Sequence, residues 1–192
     1  GNNESGNIDG SITVNVNWNT EACGTNSLNN VYGAGNKADY TGSPVVNIIN
    51  GKVNENVFGG GLKATVTGDP TVNVSGGTVI HDVYGGGALA DVVGNTTVNL
   101  TGGEVGGAYG GALGSAEVAA LVKGNTLVTL DGTKVTGDGI FGANNLNGTP
   151  TGHVKVHVTN TTPRDGSVYH VPAVYGGGNK AAYVPTDDND YT

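Results

Sequence analysis

A pentapeptide of one apolar residue, one aromatic residue and three mostly small residues occurs six times in this chain of 192 residues. The intervals from Tyr32 to Phe58 and from Phe58 to Tyr84 are each 26 residues long. A fixed period of this size is typical of solenoids, in which each repeat stacks on the next. The six copies are residues 31–35, 57–61, 83–87, 108–112, 140–144 and 174–178.

A short run of alternating apolar and polar residues precedes each pentapeptide, as in Val46-Asn47-Ile48. Alternation with a period of two predicts a strand with one buried face, so we expect Val and Ile inside and Asn outside. A third run follows the glycines and closes each unit. Its copies are residues 38–40, 64–66, 90–92, 116–118 and 181–183. Three strands of about 5–6 residues with three corners fit this repeat length.

The pattern therefore predicts an all-β protein, a right-handed parallel β-helix of about six coils of roughly 26 residues, with three short strands per coil. The Val-x-Val, Val-Tyr-Gly-Gly-Gly and Ala-x-Val units resemble those of right-handed parallel β-helix proteins. They resemble most closely the Gly-rich passenger and adhesin-like regions of large bacterial surface proteins. This resemblance spans residues 12–184 and implies an extracellular location on the bacterial cell surface.

The domain organisation follows from where the repeats lie. We expect an N-terminal linker at residues 1–10, the β-helix at 11–185 and an acidic linker at 186–192, all cut from a longer protein. Residues 174–183 nearly repeat residues 31–40, so the array ends in phase and without an obvious polar cap. An uncovered solenoid end predicts end-to-end self-association.

Composition excludes several partners. The net charge of -8 argues against nucleic acid, which requires a basic surface. No apolar run approaches the roughly 18 residues of a membrane span. The single cysteine, Cys23, rules out a disulfide framework within the chain. Residues 187–190 place several side-chain oxygens close together, and calcium binds such oxygens, but these residues lack the spacing of an EF-hand. We therefore expect no metal or cofactor, and calcium is the alternative that stays open.

Catalytic residues are not predicted. The outward column is mostly Asn, which indicates an amide ladder rather than acid–base machinery. Asp39, Asp91 and Glu117 fall in one column of the third run, but Thr65 interrupts it. The aromatic column has two interpretations, an exposed platform for sugar rings or a buried ladder. Phe at two of the six positions favours burial, because it brings no hydroxyl to a ligand.

Two excursions break the period at the same corner. The step from the first strand to the aromatic residue grows from 10 residues to 16 before Tyr32 and to 17 before Tyr175. A milder insertion occupies residues 113–122. Loops on a rigid scaffold commonly carry binding residues, although they can equally be surface decoration or caps. The ligand-binding candidates from the two excursions are Trp18, Arg164, Asp165, Tyr169 and His170.

The function we expect is non-catalytic. As an adhesin or structural stalk, the segment would present its loops to glycans or surface proteins of a host or neighbouring cell. The alternative is a carbohydrate-active β-helix enzyme, a polysaccharide lyase or glycosidase, or a phage-type tail spike, because the same fold carries all of these activities.

Overall fold

The computed structural model describes residues 4–19, 26–168 and 170–184. This part of the chain contains no helix, and its parallel strands stack as a β-solenoid of about 5 turns of ~26 residues. The parallel β-helix prediction is confirmed, whereas the count of about six coils is too high by one. Six copies of a motif delimit five complete intervals, so the first and last copies belong to incomplete turns. The right-handed sense stays a prediction.

Three parallel sheets form the sides of the solenoid. The first sheet has six strands: β1 (Thr13–Val16), β4 (Val45–Ile48), β8 (Thr71–Val74), β11 (Thr96–Leu100), β13 (Thr126–Asp131) and β15 (Val154–Asn160). The second has seven: β2 (Val31–Tyr32), β5 (Lys52–Val53), β6 (Val57–Phe58), β9 (Thr78–Tyr84), β12 (Glu104–Tyr109), β14 (Lys134–Phe141) and β16 (Val174–Tyr175). The third has three: β3 (Tyr40–Thr41), β7 (Val66–Thr67) and β10 (Val92–Val93).

The first sheet follows the predicted alternation. Its strands pair in register, so that Val46 lies beside Val72 and Asn47 beside Asn73. The inward valines, leucines and isoleucine form one continuous core cluster, fully buried in the inner strands and partly exposed on the edge strands β1 and β15. Outside, the Nδ2 atoms of Asn47, Asn73 and Asn99 each donate to the Oδ1 atom of the asparagine one coil earlier, at 2.8, 2.8 and 2.9 Å. The predicted amide ladder is confirmed.

The aromatic residues form a second ladder, in which the four middle rings are buried and the two end rings are partly exposed. Neighbouring ring centroids lie 4.6–5.1 Å apart and the rings are nearly parallel, from Tyr32 to Tyr175. Side chains alternate along a strand, so Val83 points into the main core while Tyr84 points to the other face of the second sheet. Leu62, Leu89 and Leu113 cover the rings from outside. The ladder is therefore a separate aromatic core outside the valine core.

The first glycine of each pentapeptide is required by the coil stacked above it. A Cβ atom at Gly59 or Gly85 would collide with the carbonyl oxygen of the equivalent glycine in the next coil. At Gly176 no atom lies within 4 Å of that position. The invariance of this glycine thus reflects close approach of neighbouring backbones rather than a left-handed backbone conformation.

The third side is less regular than predicted. Among the described residues, strands form there in only three coils, and beyond them single bridges join Val122 to Val92 and to Pro150. The prediction that residues 116–118 continue this column is wrong. Residues 120–122 take that place, with Ala120 and Val122 fully buried, while Glu117 and Val118 are exposed. The milder insertion therefore bulges outward before the chain rejoins the column.

Candidate functional site

Trp18, near the start of the first excursion, packs on the end of the solenoid. The indole is half-buried, packs against the valine core, and fills the space beside Gly51, where a Cβ atom would come within 2.7 Å of Trp18 Cε2. Its Nε1 atom is buried without a hydrogen-bond partner. Trp18 thus covers the N-terminal end of the core, and Cys23, in the same excursion, lies outside the described residues. The ligand-binding role predicted for Trp18 stays a prediction.

The second excursion is fastened to the solenoid by Arg164. Its backbone N–H donates to the carbonyl of Gly132 at 3.0 Å. Its Nε–H donates to the carbonyl of Thr101 at 2.9 Å, and its Nη2 pairs with Asp131 Oδ2 at 3.2 Å. These partners belong to two neighbouring coils, so one side chain fixes the loop across both. The Arg164 guanidinium is therefore an anchor that positions the residues beside it.

A pocket of about 220 Å³ lies between this anchored loop and the beginning of the second sheet; we call it the corner pocket. Lys134 and Glu104 form an ion pair there at 3.1 Å. Hydrogen bonds from Ser167 hold the pKa of the exposed Asp165 carboxyl below its usual range, so it is ionised at neutral pH. The lining residues are Gly77, Thr78, Gly103, Glu104, Lys134, Pro163, Arg164 and Asp165.

The structure brings together only part of the predicted set. Arg164 and Asp165 share the corner pocket, whereas the exposed His170 does not line it. Trp18 belongs to the first coil, at the other end of the strand order. Tyr169 lies outside the described residues. The two excursions therefore leave from opposite ends of the strand order, and any site built from the second loop excludes Trp18.

A second polar cluster lies where the same strands meet the aromatic ladder. The Tyr84 hydroxyl donates to Asp82 Oδ2 at 3.0 Å and accepts from Asn145 Nδ2 at 2.7 Å. Burial raises the pKa of Asp82, the Tyr84 hydrogen bond lowers it, Asp138 raises it and His81 lowers it. The Asp138 carboxylate therefore acts on Asp82 across the intervening coil.

The charges of Asp82 and Asp138 both act on the Tyr109 hydroxyl. It is buried and meets no hydrogen-bond partner. Burial, followed by Asp82 and Asp138, raises its pKa, so the phenol is neutral at physiological pH. The Asn179 amide partly offsets this shift, without the geometry of a direct hydrogen bond. Outside lies a cleft of about 430 Å³, here called the ladder cleft, lined by Asp138, Phe141, Tyr175, Gly178 and Asn179.

The sequence analysis missed this cluster. Asp82 and Asp138 do not stand in one column of the repeat, because Asp82 lies two residues before its aromatic residue and Asp138 three. A sequence signal that could have revealed it is the number of residues from the inward-pointing valine to the aromatic residue of the same coil. It is five residues from Val79, four from Val105 and six from Val135.

Two carboxylates of the interrupted acidic column on the third side bond to the backbone of the next coil. Asp39 Oδ1 accepts from the backbone of Thr65 at 2.7 Å, and Asp91 Oδ1 accepts from that of Leu121 at 2.9 Å. These two carboxylates therefore link coils. Within the described ranges, no three His, Cys, Asp or Glu side chains come together as a metal-binding group. No helix in that part of the chain has the length and apolarity to cross a membrane. The tail considered for calcium lies outside it.

Comparison with protein-family models, with curated proteins and with solved structures finds no match to this chain.

Proposed function

We propose that this chain is a non-catalytic segment of a bacterial cell-surface protein, a rigid stalk that presents an uncharged-glycan-binding site to the outside. The observation that carries the proposal is the second excursion, which Arg164 ties to two coils so that a loop of the repeat becomes the wall of a pocket. Holding a pocket on a rigid scaffold favours binding, because little conformational entropy is lost when the ligand arrives.

Rigidity is supported by the uninterrupted stacking. Backbone hydrogen bonds and the aromatic ladder run from coil to coil, and the amide ladder adds a third kind of contact from Asn15 to Asn99. Stacked repeats of this kind behave as quasi-one-dimensional rods. A rod suits a molecule that must hold a binding surface away from a cell.

The chemistry of the corner pocket favours hydroxyl-rich ligands. Carboxylates at Asp165 and Glu104 accept hydrogen bonds from sugar hydroxyls, and the Lys134 ammonium donates. The chain's net charge of -8 disfavours anionic ligands. We therefore propose neutral glycans of a host or neighbouring cell as partners, with surface proteins of these cells as the other class. No cofactor takes part.

The test is a glycan array probed with the whole chain, followed by titration of the hits. Asp165→Asn keeps the side-chain shape and the acceptor for Ser167 but removes the charge, and we expect about a tenfold loss of affinity. Glu117→Gln, on the outward bulge of residues 113–122, removes the same charge elsewhere and should bind like the wild type. Absence of any glycan hit, or equal loss in both variants, contradicts the proposal.

A carbohydrate-active enzyme is the second candidate, favoured by one observation. Asp82 has a raised pKa beside a second carboxylate, Asp138, which is the relation expected of a general acid and its partner. Incubation with a panel of polysaccharides, assayed for new reducing ends, tests this. Turnover that Asp82→Asn abolishes would establish the enzyme and replace the stalk proposal.

A further inference from the structure

The last ring of the aromatic ladder has an open face. Tyr175 stacks on Phe141 with 4.6 Å between the ring centroids and 14° between the planes. Among the described residues no ring stacks on the other face of Tyr175, and 47% of this residue is exposed. The middle rings, by contrast, have a neighbour on both faces. The ladder therefore ends in an accessible aromatic surface.

The ladder cleft lies against this ring and contains a carboxylate. Its lining residues are Asp138, Phe141, Tyr175, Gly178 and Asn179, and Asp138 is exposed. In the part of the chain that the structure describes, no Lys, Arg or His lines it. The corner pocket differs, because basic side chains line it together with acidic ones. The ladder cleft is thus a negatively charged site next to an aromatic face.

No ion pair neutralises this negative charge. None of the ion pairs within the described ranges includes Asp138 or Asp82. The charge of Asp138 acts on its neighbours, since it contributes to the raised pKa of Asp82 and of Tyr109. A cation in the cleft would be attracted by Asp138 and would offset its repulsion of Asp82.

The sequence of the repeat also changes at this place. The residue directly after the pentapeptide is apolar in the middle coils, as Leu62, Ala88 and Leu113, but it is an amide in the last two, as Asn145 and Asn179. The Asn179 Nδ2 atom donates to Asn145 Oδ1 at 3.1 Å. The Asn179 Oδ1 atom can only accept a hydrogen bond. The cleft therefore has a carboxylate and an amide carbonyl as acceptors where earlier coils have apolar side chains.

These features together favour a flat cation. The face of an aromatic ring attracts positive charge, and the nearly parallel packing of the ladder suits a planar group. A guanidinium group is planar and always charged, and it has several N–H donors and no acceptor. An ammonium group has the charge without the plane, and an anion would be repelled by Asp138. Among side chains, arginine fits the cleft best.

The guanidinium has to come from another protein. Arg164 is the single arginine of this chain. Its side chain already donates to the carbonyl of Thr101 and pairs with Asp131. A second copy would have to release this anchor before its arginine could reach the cleft of the first.

We propose that the ladder cleft binds an arginine side chain of a partner protein, with the guanidinium stacked on the open face of Tyr175 and hydrogen-bonded to the carboxylate of Asp138. This inference goes beyond the proposed stalk function and does not rest on it, because it concerns a different pocket and a different ligand. Asn179 supplies a further acceptor beside the stacked group.

The test is a titration of the whole chain with a short blocked peptide, Gly-Arg-Gly, followed by NMR of isotope-labelled tyrosine rings. The chain is kept at a concentration where it is monomeric. Two matched peptides carry lysine or citrulline in place of arginine, and citrulline has the planar shape without the charge. The Tyr175 signal, identified by its loss in Tyr175→Phe, should shift with the arginine peptide. The other two peptides should bind about fivefold more weakly.

Variants locate the binding site. Asp138→Asn keeps the shape of the side chain and removes its charge, and should bind the arginine peptide about fivefold more weakly. Tyr175→Leu removes the ring and should lose a similar factor, whereas Tyr175→Phe keeps the aromatic face and should bind like the wild type, measured by calorimetry. Glu117→Gln removes a charge on the outward bulge and is the matched control. Circular dichroism and thermal melts show that each variant is folded.

Several outcomes would overturn the assignment. They are equal affinity for the three peptides, equal affinity of Asp138→Asn and Glu117→Gln, or no shift of the Tyr175 signal. If that signal shifts with protein concentration but not with peptide, a second copy covers the ring and the arginine proposal is wrong. None of these results affects the glycan proposal, which is tested at the corner pocket by Asp165→Asn.

Discussion

The two ends of the solenoid carry nearly the same sequence in different surroundings. Residues 31–40 and 174–183 agree closely, yet Val31 is 4% exposed and Val174 is 47% exposed. At the first end Trp18 packs on the valine core, Ile8 and Ile12 pack on the third side, and the Tyr40 hydroxyl donates to the Gly10 carbonyl at 2.8 Å. At the other end both residues of β16 are exposed, and those of β15 are exposed or half-buried.

This difference shows that the exposure of a side chain in a solenoid depends on whether a neighbouring coil covers it, and not on the residue type. A valine or aromatic residue is core only where another coil or a returning segment covers it. Equivalent substitutions in one repeat column should therefore have unequal costs, large where a coil lies above and small at the open end. The predictions below use such matched pairs.

The largest difference is expected for the first glycine of the pentapeptide. Gly85→Ala would push a Cβ atom into the Gly110 carbonyl and within 2.8 Å of Thr96 Cβ. We expect it to lower the free energy of unfolding by about 3 kcal/mol, because backbone cannot move aside without breaking the coil pairing. Gly176→Ala meets no atom within 4 Å and should change stability by less than about 0.5 kcal/mol. Urea denaturation measures both, and equal effects would refute the role of stacking.

The next difference concerns the aromatic residues that close each end. Trp18→Ala uncovers the valine core and should cost about 2 kcal/mol, less than a fully buried tryptophan because the indole is half exposed. Tyr175→Ala removes a ring that stacks on one side only and should cost about 1 kcal/mol. Thermal denaturation measures both variants. If Tyr175→Ala loses more stability than Trp18→Ala, ring stacking in the ladder, and not the covering of the valine core by Trp18, is what stabilises the ends.

Asp82 lies midway along the rod, so a substitution there measures the stability cost of burying a charge without the exposure that affects the two ends. The pKa of Asp82 is raised in the folded state, so its contribution to stability is present below its ordinary value of 3.8 and is lost as pH rises through the folded pKa. Asp82→Asn should therefore match the wild type at about pH 3 and become the more stable protein by about pH 6. Unfolding curves across that range test this, and a gap that closes as pH rises would contradict it.

Much of the architecture could be read from the sequence because in-register stacking repeats each side chain's surroundings. The valine column, the asparagine ladder and the buried rings each follow from period and alternation alone. The third column was misplaced in the fourth coil because Ala116-Glu117-Val118 and Ala120-Leu121-Val122 both fit the Ala-x-Val pattern. Only pairing with Val92 decides between them.

The candidate site was less accessible to sequence reasoning. Arg164 and Asp165 were found because they lie in an insertion, but the anchoring of Arg164 on Thr101 joins residues 63 positions apart. The register shifts on both sides of β12, beside Asp82 and Asp138, depend on a difference of one or two residues between adjacent strands. Such a difference shows its effect only when the strands are placed side by side, because the backbone has to bulge to restore register.

The smallest effect we expect is weak association through the open end. Strand β15 is at the edge of the first sheet, and Val158 on it is 42% exposed, whereas the other end is covered on two sides. Two copies should therefore meet by their C-terminal ends, since an uncovered edge strand pairs with another. Sedimentation velocity at rising concentration should show a dimer that Val158→Lys with Val174→Lys removes. Thr13→Lys, on edge strand β1 at the covered end, should leave the dimer intact, and its loss in that control would instead indicate head-to-tail stacking.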